Sequence, residues 1–133
     1  MAFRLRNSAG TAGDSSVLEM PKATATACVV GELWAWDRTN NNLIRATSSS
    51  TTLTIFGVSA SVQAATDTTM LIIPVTQDQL WEADTTNATA TTQVGERNTL
   101  TDHLVVNNTS SDVAGTTGIF ESITPIGAVG DRR

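Results

Sequence analysis

The chain has one cysteine, Cys28, among 133 residues. An intrachain disulfide is therefore impossible, and no cysteine cluster of zinc-finger spacing exists. Cys28 lies in an apolar run and reads as a buried small hydrophobe rather than a reactive thiol. Lysine is almost as scarce. Lys22 is the only one, and the seven arginines, Arg4, Arg6, Arg38, Arg45, Arg97, Arg132 and Arg133, form no stripe. With a formal net charge of -5, this excludes tight duplex binding, which needs several phosphate contacts, and it repels anionic membranes. Tyrosine is absent and charged residues make up only 16%, against about 25% in typical domains. Such a composition excludes a coiled coil and a long-helix bundle. The longest apolar runs are four or five residues, too short for a bilayer-spanning helix. The first residues lack the apolar stretch of a secretory signal. The sequons at Asn87, Asn107 and Asn108 therefore read as turn and strand residues.

Threonine is abundant, with 23 copies beside 16 alanines and 11 serines, and 40% of the chain is apolar. One domain of this length buries about two thirds of its unfolded surface. Threonine's branched side chain suits pleated strands better than helices.

Residues 1–19 read as a flexible N-terminal arm. Asn7 to Ser16 holds Gly10 and Gly13 among small polar residues, and Arg4 and Arg6 flank Leu5 at an amphipathic tip. Residues 20–133 read as the folded domain. In Thr24 to Trp36, Trp34 and Trp36 share one strand face, Leu33 and Ala35 the other. Asp37 to Asn42 is a turn, since Asp and Asn bond their own backbone and tolerate left-handed conformations. Leu43 to Ala46 is the returning strand. Thr52 to Val58 and Met70 to Val75 are further strands, the latter ended by Pro74, which lacks a donor. Thr76 to Asp84 is the one helix candidate, with Thr76 and Gln79 at capping-box spacing; an alternating strand competes. Leu104 to Val106 and Ile119 to Ile126 add strands. Seven to nine short strands near ten residues apart predict an all-β fold, a small antiparallel barrel or sandwich.

No catalytic constellation stands out. His103 has Asp102 beside it, but a catalytic zinc site needs three protein ligands. A Ser-His-Asp triad would use His103 as base, yet no Gly-x-Ser-x-Gly elbow exists. Asp78, Glu82 and Asp84 are read as solvated carboxylates rather than a glycosidase pair. Lys22 sits in no phosphate-binding motif. The tryptophans Trp34, Trp36 and Trp81 are read as core or interface anchors ahead of a sugar platform.

The Gly31-Glu-Leu-Trp-Ala-Trp36 strand, the Met70-Leu-Ile-Ile-Pro-Val75 strand and the Gly118-Ile-Phe120 approach to the last strand, in a lysine-poor, Thr/Ala/Gly-rich chain with a leading arm, resemble the head decoration, or cement, proteins of tailed bacteriophages. The resemblance covers most of the chain in style, with no single diagnostic motif. It implies a β-barrel or β-tulip bound as a homotrimer to the outer surface of the virion capsid. Its partner would be the major capsid protein, with no cofactor, no catalysis, no nucleic acid and no membrane. The interface expectation falls on Arg4, Leu5, Arg6, Trp34, Trp36 and Trp81, with the arm adding to a neighbouring sheet. One departure is that a final apolar strand is expected after Gly130, where this chain stops at Arg133. The alternatives are a trimeric tail-fibre or receptor-binding β module, which would bind glycan through Trp81 or Trp34, a hydrolase using His103, and an adhesin subunit.

Overall fold

The computed structural model describes residues 3–8, 17–50, 54–76, 79–88, 93, 95–111 and 120–121. The expected strand segments at Thr52–Leu53, Ile119 and 122–126, the arm residues 9–16, and Asp78 lie outside them. Eleven strands and no helix occur among the described residues. They are β1 (Arg4–Ser8), β2 (Leu18–Pro21), β3 (Leu33–Asp37), β4 (Asn42–Arg45), β5 (Ile55–Ser59), β6 (Thr69–Pro74), β7 (Gln79–Glu82), β8 (Asp84–Thr85), β9 (Arg97–Leu100), β10 (Val105–Ser111) and β11 (Phe120–Glu121). The protein is a small all-β fold.

The largest sheet has the order β2-β6-β5-β3-β4, antiparallel throughout. Its β3–β4 hairpin forms because Asp37 caps its own turn. Asp37 Oδ1 accepts from Thr39 N at 2.8 Å, and Oδ2 accepts from Asn40 Nδ2 at 2.6 Å. Asn41 then takes a positive φ of 53°, a conformation Asn tolerates. The strands pair in the order Asp37 with Asn42, Trp36 with Leu43, and Trp34 with Arg45.

Alternation along β3 divides the apolar side chains between two cores. Trp34, Leu43, Met70, Ile72 and Cys28 fill the first, with Met20, Trp36 and Phe56 packed on it. Trp36 and Phe56 stack at 5.9 Å, tilted by 37°. Leu33 and Val58, from the opposite face, join Phe3, Ala46, Leu100 and Val106 in the second core, against which Trp81 and Phe120 pack. Burying each such large side chain contributes about 1.5–3 kcal/mol.

The sheet curls around the first core until its two edges touch. Lys22, just past β2, forms a single parallel bridge with Leu43 of β4, and Ala23 N donates to Leu43 O at 2.9 Å. Pairing goes no further there, so the described strands form no closed barrel. The reason is chemical as well as geometric. Pro21 carries no N–H, and past Lys22 the chain turns away with Ala25 at a φ of 71°.

The second core is covered from outside by β1-β7 and by the sheet β11-β9-β10-β8. In the latter only β8 and β10 run parallel. The expected helix at 76–84 is instead the approach to β7. Half of the capping box is present, since Thr76 N donates to Gln79 Oε1 at 2.9 Å. The chain then continues extended because Trp81 turns onto the second core while Leu80 stays exposed, the two-residue period of a strand. The first residues of the expected arm are likewise a strand. Arg4 to Ser8 pairs antiparallel with Glu82 to Gln79, and Phe3 is buried. An aromatic plug and a backbone ladder hold residues 3–8, the leading part of the segment read as an arm.

Candidate interaction surface

Residues 23–31 cross one end of the curled sheet without forming a strand, and side chains hold them. Lys22 is buried and its Nζ donates to Ala23 O at 2.8 Å and to Thr26 O at 2.7 Å. A buried ammonium needs such acceptors, because stripping its water is costly. Cys28 and Gln63 then exchange two backbone hydrogen bonds of 2.9 Å as an isolated antiparallel bridge. Beyond it the chain reverses at Gly31, whose φ of 91° disfavours any residue with a side chain.

A buried polar knot fixes this reversal. Glu32 Oε2 accepts from Val29 N at 3.2 Å. Ser59 Oγ accepts from Glu32 N at 2.9 Å and donates to Val29 O. Gly31 N donates to Ser59 O at 2.9 Å. On its other oxygen Glu32 holds Arg45 Nη2 at 3.0 Å and lies 3.5 Å from His103 Nε2. Arg45 also donates to Ala27 O at 2.6 Å and lies 6.0 Å over the Trp34 ring. The thiol of Cys28, within this knot, donates to Ser61 O at 3.2 Å. Burial pushes its pKa up and the charge of Glu32 adds to that, while the Ser59 hydrogen bond, Lys22 and Arg45 oppose it.

With the backbone so pinned, the valines of the reversal cannot turn inward. Val29 is 49% exposed and Val30 54%. Val62, beside Val29 across the Cys28–Gln63 bridge, is 71% exposed. Leu71 adjoins them, its N–H donating to Ser61 Oγ at 3.0 Å, and it too is exposed. Single exposed apolar residues are ordinary, whereas contiguous exposed apolar patches are a feature of contact surfaces. A second surface feature is an open groove beside the β3–β4 hairpin, lined among others by Trp36, Asp37, Arg38, Ser49 and Thr54.

The residues expected at an interface are spread over the molecule. Trp34 is fully buried in the first core and Trp36 half-buried on it, so Trp34 offers no face to a sugar or a partner. Trp81 is half-buried on the second core, with Nε1 donating to Gln79 Oε1 at 3.1 Å. It stands opposite Leu5 in the β1–β7 ladder, in which Arg4 faces Glu82 and the register shifts past Arg6. His103 lies in the turn before β10, against Glu32. Asp102 serves the same turn, accepting from Leu104 N at 2.7 Å and Val105 N at 3.0 Å. The hydroxyl of Ser59 accepts from Glu32 N and donates to Val29 O. Glu82 is buried rather than solvated, Glu82 and Asp84 sit on separate short strands, and no group of three or more metal-ligating side chains gathers among the described residues. The valine group and the Glu32 knot were missed. Their sequence signal was a lone carboxylate inside the Val29-Val-Gly-Glu-Leu-Trp34 run, an unusual place for a charge unless it is paired.

The fold and its surface define a small all-β domain with a pinned apolar end. No protein-family model matches the chain, and neither a curated protein nor a solved structure matches it.

Proposed function

We propose that the protein is a structural decoration, or cement, protein of a tailed-bacteriophage head. It binds the outer capsid surface as a homotrimer and holds adjacent major capsid protein subunits together. The observation that carries this reading is the exposed group Val29, Val30 and Val62 on a backbone pinned by buried polar bonds. A protein that acts only by contact needs a rigid apolar surface, because ordering a loose one on binding costs free energy. Modest contacts then add across a symmetric lattice. Sparse charge, with one lysine, suits a surface packed against copies and partners.

The groove beside the hairpin favours one other reading, a trimeric tail-fibre or receptor-binding module, since hydroxyls with a nearby Asp and Arg suit sugar recognition. Co-sedimentation with empty, expanded phage capsids separates the two. Binding is expected for the native protein. Val30→Glu or Val62→Glu should weaken it by about tenfold or more, as a carboxylate in an apolar contact costs over about 1.4 kcal/mol. Both variants should keep their melting temperature. Unchanged capsid binding by both would sink the decoration reading, and glycan binding without capsid binding would favour the receptor module.

A further inference from the structure

Strands β1 and β7 form a sheet of their own, and neither has another ladder partner among the described residues. Just before β1, Phe3 is buried in the second core. Its ring lies 5.3 Å from that of Phe120 and its N–H donates to Gly31 O at 2.8 Å. Together these features are an aromatic plug, a donor strand, and an acceptor edge with a matching pocket, which are the parts of strand addition.

Donor and acceptor lie far apart in sequence. Between β1 and β2 stand nine residues, Ala9 to Val17, with Gly10 and Gly13 and no aromatic. A chain of that length spans up to about 30 Å, and β2 belongs to a different sheet. Nothing in this connection dictates that donor and acceptor belong to one chain. Charge favours pairing between copies as well. The donor carries Arg4 and Arg6, and the acceptor strand carries Glu82, opposite Arg4 in the ladder. This match steers two otherwise acidic copies together.

We propose that the β7 edge and the Phe3 pocket form a docking site for the N-terminal strand of a second copy of this chain. The contacts are the same within and between chains, so the tether and the local protein concentration set the balance. In dilute solution β1 closes on its own β7, and in a crowded array it closes on a neighbour's. This inference does not rest on the capsid reading and is tested without capsids.

The test uses the register pair Asn7 and Leu80 in full-length Cys28→Ala protein. Asn7→Cys and Leu80→Cys single variants are mixed at high concentration, unfolded and refolded together, and oxidised. A disulfide-linked heterodimer is expected on a non-reducing gel, well above the yield from a control mixture of Asn40→Cys with Leu80→Cys. The same experiment with Phe3→Ala added to the donor should lose most of that product. The double variant Asn7→Cys/Leu80→Cys, oxidised when dilute, should close within one chain, which shows that the substitutions fold and keep register. Intrachain closure of the double variant with no heterodimer above control from the mixture would overturn the proposal.

Discussion

Cys28 is the residue whose sequence reading and structure agree most closely. The apolar run around it implies burial, and the thiol is buried within reach of Ser61 O. Its raised pKa has a consequence for stability. The unfolded thiol ionises at about 8.5, while burial, backed by Glu32, holds the folded thiol protonated to higher pH. Between those two values the folded state binds more protons than the unfolded one, so stability falls as pH rises. Melting temperature should decline above about pH 8.5 in the native protein, and less steeply in Cys28→Ala. Equal decline in both would show that another group carries the effect. Lys22 and Glu32 were not legible as a buried pair of anchors. Side chains of their type are almost always solvated; Lys22 is held by its near neighbours Ala23 and Thr26, whereas Glu32 meets Arg45 and Ser59 from distant parts of the chain.

At the scale of the element, the β3–β4 hairpin was readable in full. Its turn chemistry is local, set by Asp37 and Asn41, and its two faces follow from a period of two. Asp37 retains its charge to lower pH than an ordinary aspartate, chiefly because Asn40 donates to it and then because Thr39 N does. The 76–84 segment was less readable, because its capping signal is real but a strand partner 70 or more positions away decides its conformation. Gly57 of β5 shows how tightly neighbouring strands constrain an element. A Cβ there would stand 2.3 Å from the Ile73 carbonyl oxygen and 2.9 Å from Ile72 Cγ1. Backbone cannot yield as a side-chain tip can, so Gly57→Ala should destabilise the fold by about 3 kcal/mol. Chemical denaturation of the variant measures this, and a loss under about 1 kcal/mol would contradict the packing described.

For the whole molecule, the question is what joins two cores on opposite faces of one sheet. Glu32 answers much of it. It binds the Val29 reversal, Arg45 of β4, and the turn carrying His103, whose carbonyl oxygen also accepts from Leu33 N at 2.8 Å. Removing one partner of a buried charge cluster leaves the others poorly paired. Arg45 is 34% exposed, which returns part of that loss through water. Glu32→Gln should therefore cost about 2–3 kcal/mol, below the range for a fully buried pair. The loss should appear in a single unfolding transition, since the residue ties both layers. Two separate transitions, or no change in the midpoint of denaturation, would show that the layers are held by apolar packing alone.

The sequence by itself determined the all-β character, the hairpin with its turn, the division of Leu33 from Trp34, and the burial of Cys28. These depend on local propensity and alternation, which act over a few residues. Only the tertiary structure decided that the curled sheet meets itself at a single bridge and that Phe3 to Ser8 is a paired strand. It also decided that Glu32 is buried and that Val29, Val30 and Val62 share one pinned end. Each of these depends on groups brought together from distant parts of the chain, and no local pattern encodes where such partners will stand.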